Sequence, residues 1–263
     1  MFAKLFVACC TAALLSMLLK PFVVQAQESA ILDKIQSGEI KGKSLLALPP
    51  NNVAEIPGLN DDDAIIRLQK KAEENIVDRA YPLMAAKWPF NKVFVCWEEL
   101  DEAYYNQRTL VREAVKDTWE AHSALQFVGW NKCNPGQVGI RIHIEDTGPH
   151  VKALGKFVSG MPNGMVLNFT YKNWSTSCQT KLDYCTRVIA VHEFGHAIGF
   201  AHEQNRPDTP GECDERPQGQ SGDKLLTPWD PHSVMNYCNA TYANDGALSE
   251  FDVVGVQYVY GAR

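Results

Sequence analysis

The spacing of apolar residues predicts a mixed fold of helices and strands from about residue 88 onward. Gln107–His122 carries its apolar residues at helical spacing, which is typical of an amphipathic helix. A later helix is predicted to begin at about Tyr184. Runs rich in β-branched and aromatic residues predict strands at Lys92–Trp97, Leu125–Trp130, Gly139–Glu145 and Met165–Tyr171. This order of elements predicts an α/β subdomain built around a sheet.

One predicted strand contains a histidine that must be distinguished from a metal ligand. Between Gly139 and Glu145, isoleucines alternate with polar residues, so one face of the strand is predicted to be buried and the other, the wet face, to be exposed to solvent. His143 lies on the wet face. It is therefore interpreted as a surface residue.

The region before residue 88 has a different character. A stretch rich in Pro, Asn and Gly (48–60) leads into three aspartates at 61–63, which open a predicted helix through Ala80 because acidic residues favour a helix N-terminus. We interpret residues 27–87 as a prosegment and residues 88–263 as the mature domain. The alternative is that residues 27–87 form a permanent N-terminal extension.

The first 26 residues have the pattern of an export signal. Lys4 precedes an apolar run from Leu5 to Leu19, and Ala26 closes a short segment with small residues where signal peptidase cuts. The alternative is a membrane anchor, but the run is short and is followed by Lys20 and Pro21. We therefore predict a signal peptide over 1–26, a secreted protein and no stable membrane anchor.

Composition and net charge limit the kinds of partner that the chain is expected to bind. The chain is 45% hydrophobic and 21% charged, as in ordinary globular proteins, and its net charge is -6. A negative net charge offers no basic footprint, so nucleic acid is not an expected partner. A monomer is expected.

Cysteine usage agrees with export. Two of the eight cysteines lie in the predicted signal, and six remain, an even number that favours disulfides in an exported chain. Sequence alone leaves 15 connectivities open. Because near pairs close short loops at the lowest entropic cost, we predict the pairs Cys96–Cys133, Cys178–Cys185 and Cys213–Cys238.

The segment Val191–Glu203 (VHEFGHAIGFAHE) carries the candidate chemistry. His192 and His196 lie four residues apart in a predicted helix, so both imidazoles lie on one face and can reach one metal ion. Glu193 lies beside them, where it can hold a metal-bound water. Gly199 ends the helix and lets the chain turn, so that His202 can return to the same ion. Three histidines and one water make an open, catalytic type of zinc site.

This segment resembles the zinc-binding signature H-E-x-x-H-x-x-G-x-x-H of the metzincin metallopeptidases. Within them it is most similar to the astacins, which carry Phe after the glycine and Glu after the third histidine, as at Phe200 and Glu203 here. The segment Ser233–Tyr237 (SVMNY) resembles the astacin Met-turn. Thr209 and Pro210 depart from the pattern that follows the third histidine in that family.

The resemblance implies an α+β catalytic domain with two subdomains. It implies a mixed, mostly parallel sheet, two long helices above the cleft, and an irregular C-terminal subdomain that ends in a helix. It further implies one zinc per chain, with Met235 as the apolar floor of the site and Tyr237 as an additional ligand or oxyanion donor. Calcium is left open.

The function that the resemblance implies is that of a secreted zinc endopeptidase acting on proteins or peptides through a zinc-bound water, with Glu193 as general base. An extended peptide would add to an edge strand, for which 151–158 is the candidate. In astacins the glutamate after the third histidine is linked to the mature N-terminal amine; Glu203 has that role or pairs with Arg206. A matrixin-like peptidase and a catalytically silent zinc-binding module are the alternatives.

Overall fold

The computed structural model describes residues 80–263. The predicted signal peptide, the aspartates at 61–63 and most of the predicted prosegment lie outside the described residues. Within residues 80–263, no helix is long and apolar enough to cross a membrane.

A five-stranded sheet forms the first half of the described chain. Its strands are β1 (Lys92–Trp97), β2 (Gln126–Lys132), β3 (Ile140–Ile144), β4 (His150–Val151) and β5 (Met165–Leu167). The order is β2-β1-β3-β5-β4, and all neighbours are parallel except β4 and β5. The sheet is therefore mixed and mostly parallel, as expected.

The antiparallel edge strand is shorter than expected. β4 includes Val151 but ends there, and Gly155–Val158 forms a 3-10 helix instead of a strand. The prediction of a strand over 151–158 is wrong beyond Val151. The physical reason is that Gly155 has a φ of +52, which lies outside the extended region, so the strand cannot continue through it.

The helix Leu182–Ala197 packs against the helix Tyr105–Val115 and also contacts the sheet. Helix α1 (Tyr105–Val115) continues into a π-helical turn at Lys116–Glu120. The four-residue α2 (Thr176–Gln179) precedes the long α3 (Leu182–Ala197), and α4 (Glu250–Tyr260) closes the chain. The apolar face predicted for α1 is the buried one, with Val111, Ala114 and Val115 fully covered.

The chain between α3 and α4 contains only short 3-10 turns and loops. It is the irregular C-terminal part that the resemblance implied. α4 begins with a capping box, in which the Ser249 hydroxyl accepts from the Asp252 N–H and the Asp252 carboxylate accepts from the Ser249 N–H.

The three disulfides are those predicted. Cys96 pairs with Cys133, Cys178 with Cys185, and Cys213 with Cys238. The second bond lies at the entry to α3, and the third ties a loop of the irregular region to the residue that follows Tyr237.

Residues 80–88 pack as part of this fold. Ala80 forms an isolated antiparallel β-bridge with Leu226, and Pro82 forms one with Phe200. The Trp88 indole N–H donates to the Ala197 carbonyl over 2.8 Å. The first described residues thus cover the end of α3, where His192 and His196 lie.

Candidate metal centre and active site

Three histidine side chains converge beyond the last turns of α3. His192 and His196 lie one turn apart on the helix, and His202 follows a turn at Gly199, whose φ of +103 favours glycine. The His202 Nε2 atom lies 3.2 Å from His192 Nε2 and 3.1 Å from His196 Nε2. All three side chains are buried. Within residues 80–263, these histidines form the one cluster of potential metal-ligating side chains.

A backbone carbonyl fixes each imidazole. The Nδ1 atom of His192 lies 2.7 Å from the Val234 carbonyl, that of His196 lies 2.8 Å from the Phe200 carbonyl, and that of His202 lies 3.0 Å from the Gln218 carbonyl. Because a carbonyl only accepts, each Nδ1 must be the protonated nitrogen. In a neutral ring this leaves the Nε2 lone pair free, and the three lone pairs face a common point.

Burial keeps these rings neutral. It lowers the pKa of His192 to about 3 and the pKa of His196 well below its ordinary value, and it also lowers the pKa of His202. Neutral imidazoles are the form that binds a metal. Three nitrogen donors with an open side fit catalytic zinc, whose sites use three protein ligands.

Glu193 supplies a carboxylate beside the histidines. Its side chain is buried, and its Oε2 atom has no hydrogen-bond partner. Burial raises its pKa to about 8. A buried polar atom without a partner is uncommon and points to a group that the site is built to receive.

The Met-turn lies against α3 where Gly195 has no side chain. A Cβ added at Gly195 would overlap the Met235 sulfur and come within 3.1 Å of the Trp119 ring. Met235 is buried, and its carbonyl accepts from the Glu203 N–H over 3.0 Å. The close approach of Met235 to the metal-binding helix therefore depends on glycine at position 195.

Tyr237 stands at the rim of the histidine cluster. Its ring centroid lies 4.5 Å from that of His202 and 5.5 Å from that of His192, and 41% of the residue is exposed. Burial of the hydroxyl, with the charges of Glu193 and Glu215, raises its pKa to about 12. The phenol therefore keeps its proton at neutral pH and can donate it in a hydrogen bond.

Glu203 turns away from the metal-binding cluster. It accepts from the Asp230 N–H over 2.9 Å and lies 3.2 Å from an Arg206 guanidinium nitrogen. This is the Arg206 pairing anticipated from the sequence. Glu203, Asp230 and Asp252 also line a small cavity beside Ala80.

Some contributors to the site were not identified from the sequence. The Gln204 side chain accepts from the Tyr237 N–H over 3.2 Å, and Asp252 accepts from the Val234 N–H over 2.9 Å. His143 lies elsewhere and contacts Glu99 at 3.0 Å, so it is not part of the cluster. Asp252 belongs to the capping box of α4, and no signal in the sequence links that cap to the Met-turn.

Comparison with known proteins gives distant similarities. No family model matches the chain. The chain is 24% identical over 182 residues to interstitial collagenase of Bos taurus, in an alignment that covers 63% of this chain and 33% of the collagenase. The chain thus spans about a third of that relative's length.

Among solved structures, the similar chains also have a low sequence identity to this one. Myroilysin is 20% identical, with a TM-score of 0.48 over 70% of this chain and 99% of its own. High choriolytic enzyme 1, a hatching enzyme zinc-protease from Oryzias latipes, is 17% identical, with a TM-score of 0.47 over 68% and 96% of the two chains.

Proposed function

We propose that this chain is a secreted, zinc-dependent endopeptidase of the metzincin type. The observation that carries the proposal is the convergence of three neutral imidazole Nε2 atoms beside a buried carboxylate without a partner. His192, His196 and His202 would hold the ion. Glu193, at the edge of this cluster, supports hydrolysis rather than a purely structural metal site, because a structural site needs no base.

When bound, zinc would acidify a water and polarise a peptide carbonyl. Glu193 is suited to take the proton of the attacking water and to deliver it to the leaving amine, because its carboxylate is buried beside the three histidines and its Oε2 atom has no other hydrogen-bond partner. Tyr237 is suited to donate a hydrogen bond to the developing oxyanion. An extended substrate would pair with the exposed side of β4, the antiparallel edge strand.

Zinc content and proteolysis of the purified protein test the proposal together. We expect one zinc per chain, cleavage of an unfolded protein substrate, and loss of cleavage on chelation. Glu193→Gln should retain zinc and lose activity by about 100-fold or more, because general acid–base catalysis contributes about 10²–10⁴-fold. The matched control is Glu113→Gln, which changes an exposed glutamate of α1.

Two outcomes would contradict the proposal in different ways. A Glu193→Gln protein that keeps more than about a tenth of the activity would remove Glu193 from its role. A wild-type protein that holds zinc but cuts no peptide bond in any of a diverse set of unfolded substrates would favour the alternative of a silent zinc-binding module.

The prosegment is part of the same proposal. Because residues 80–88 pack against the end of α3, a cut that leaves Ala80 in place would preserve the fold, whereas a cut at Trp88 would remove the Pro82 and Leu83 contacts to Phe200 and Gly199. The activating cut is therefore proposed to lie before Ala80. The buried carboxylates beside Ala80 would then receive its new ammonium group.

Chains that begin at residues 27, 80 and 88 test this assignment. We expect weak activity from the first, high activity from the second, and a lower melting temperature for the third. Equal activity of the first two chains, without processing detectable by mass, would make residues 27–79 a permanent part of the protein.

A further inference from the structure

The three carbonyls that orient the histidines differ in their surroundings. Val234 and Phe200 are both buried, so the carbonyls that fix His192 and His196 belong to the packed interior. Gln218, whose carbonyl fixes His202, is exposed. The third histidine therefore depends on a surface segment that needs an anchor of its own.

That anchor is Asn205. Its side-chain amide donates to the Gln218 carbonyl over 2.6 Å, and its side-chain oxygen accepts from the Gln218 N–H over 2.8 Å. One buried side chain thus holds both backbone groups of one exposed residue. The same amide reaches the Gln220 carbonyl at 3.3 Å. We call residues 213–220 the strap.

The anchor and the ligand are connected in a closed ring of hydrogen bonds. The Asn205 N–H donates to the His202 carbonyl over 3.1 Å, within the 3-10 turn that follows the ligand. The Asn205 side chain holds Gln218, and the Gln218 carbonyl accepts from His202 Nδ1. The ring therefore links the orientation of the His202 imidazole to the Asn205 side chain.

Two further contacts fix the ends of the strap. The Cys213–Cys238 disulfide ties its first residue to the Met-turn region. At its other end, the Gln220 side chain accepts from the Leu154 N–H over 2.9 Å, which connects the strap to the segment that follows β4. Between these ends, the described side-chain hydrogen bonds to the strap backbone come from Asn205 and from the His202 imidazole itself.

We infer that Asn205 is a positioning residue for the metal centre, acting through the Gln218 carbonyl on the third ligand, His202. The inference rests on the proposed zinc site. Without the clamp, the Gln218 carbonyl is free to turn to solvent, and His202 loses the partner that fixes its ring and its tautomer. Loss of such an outer partner typically lowers metal affinity by about 10- to 100-fold.

The experiment measures zinc affinity directly, in addition to activity. Metal-free secreted protein is titrated with zinc in competition with a chromophoric chelator, for wild type, Asn205→Ala and Asn205→Asp. The Asp variant keeps the shape and the acceptor for the Gln218 N–H but places a carboxylate against its carbonyl. We expect both variants to bind zinc about 10- to 100-fold more weakly.

Asn168→Ala is the matched control. Asn168 is also buried and also clamps a loop, since its side chain accepts from the Thr170 and Tyr171 N–H groups and donates to the Thr147 carbonyl. We expect this variant to lower the melting temperature and to leave the zinc dissociation constant unchanged. The visible spectrum of the cobalt-substituted protein should change for the Asn205 variants and not for the control.

The outcomes separate this inference from the function on which it rests. A wild-type protein that binds no zinc overturns both. If wild type binds zinc and both Asn205 variants bind it within twofold of wild type, only the positioning assignment is overturned. If neither variant folds, Asn205 is a residue of the fold rather than of the metal centre, and the assignment is overturned as well.

Discussion

Asp252 connects the closing helix to the Met-turn, and its replacement tests how the floor of the site is held. The carboxylate accepts from the Val234 N–H over 2.9 Å, from the Ser233 hydroxyl over 2.7 Å and from the Ser249 N–H over 3.0 Å. The Val234 carbonyl in turn orients His192. Asp252→Ala would remove the acceptor for all three donors.

The expected change in the free energy of unfolding follows from the hydrogen-bond donors that Asp252→Ala leaves without an acceptor. Val234 and Ser233 are buried, and each buried donor that loses its acceptor costs about 1–3 kcal/mol. We expect Asp252→Ala to lower the free energy of unfolding by about 3–5 kcal/mol. Asp252→Asn should cost about 1 kcal/mol or less at neutral pH, because the amide oxygen still accepts from both backbone N–H groups.

Wild type and Asp252→Asn should also differ in how their free energies of unfolding depend on pH. Burial raises the pKa of Asp252 from 3.8 to about 6, so between these values the folded state holds a proton that the unfolded state has released. The contribution of Asp252 to stability is full below pH 3.8 and is lost as the pH rises through about 6. Asparagine does not titrate, so the stability of wild type relative to Asp252→Asn should fall over this window and level off above it.

Urea unfolding of the metal-free proteins from pH 4 to 7, followed by tryptophan fluorescence with disulfides intact, measures both effects. Buried groups that are not coupled to Asp252, Glu193 among them, titrate in the same way in both proteins and cancel in the difference. Glu203, whose pKa the Asp252 charge raises, adds to the same fall in the stability of wild type. The reasoning is refuted if Asp252→Ala is as stable as Asp252→Asn. It is also refuted if the difference between wild type and Asp252→Asn grows in favour of wild type as the pH rises.

Three further predictions concern packing, modification and metal. Gly195→Ala should destabilise the fold by about 1–3 kcal/mol and displace Met235 in a crystal structure, whereas Gly211→Ala, where an added Cβ meets nothing within 4 Å, should be neutral. Asn168 and Asn173 each begin an N-x-S/T glycosylation triplet. In a glycosylating host, mass spectrometry should find glycan at Asn173, which is exposed, and none at Asn168, which is buried. Zinc at about 1,000 times its dissociation constant should stabilise the protein by about 4 kcal/mol against unfolding, and an unchanged melting temperature after chelation would contradict a bound ion.

The elements that could be predicted from the sequence are those that neighbouring residues in the chain determine. The strand Lys92–Trp97 has the predicted bounds, because its composition and its flanking residues determine both ends. The cap at Ser249 and Asp252 follows from residues three apart in the chain. The helix of the metal motif likewise extends over His192 and His196, because their spacing of four matches one helical turn.

The orienting groups were not predictable, because they are backbone carbonyls and two of the three come from distant positions. Val234 lies 42 residues from His192, and Gln218 lies 16 residues from His202. Every residue carries a carbonyl, so nothing in the identity of a residue marks it as the partner of an imidazole. The π-helical turn at Lys116–Glu120 was missed for a related reason, since its helical apolar spacing is indistinguishable from that of an α-helix.

The geometry of the histidine cluster is unfavourable without an ion, and this explains why so much of the chain holds it. The Nε2 lone pair of His202 faces those of His192 and His196 at 3.2 and 3.1 Å, and the adjacent Glu193 is buried with no partner for its Oε2 atom. Each of these groups would gain by turning to solvent. Each histidine is prevented from doing so by a carbonyl, and those carbonyls are held in turn by Asp252, by the end of α3 and by Asn205. These contacts hold the three imidazoles in position, and a bound metal would stabilise the arrangement because neutral imidazole nitrogens are its ligands.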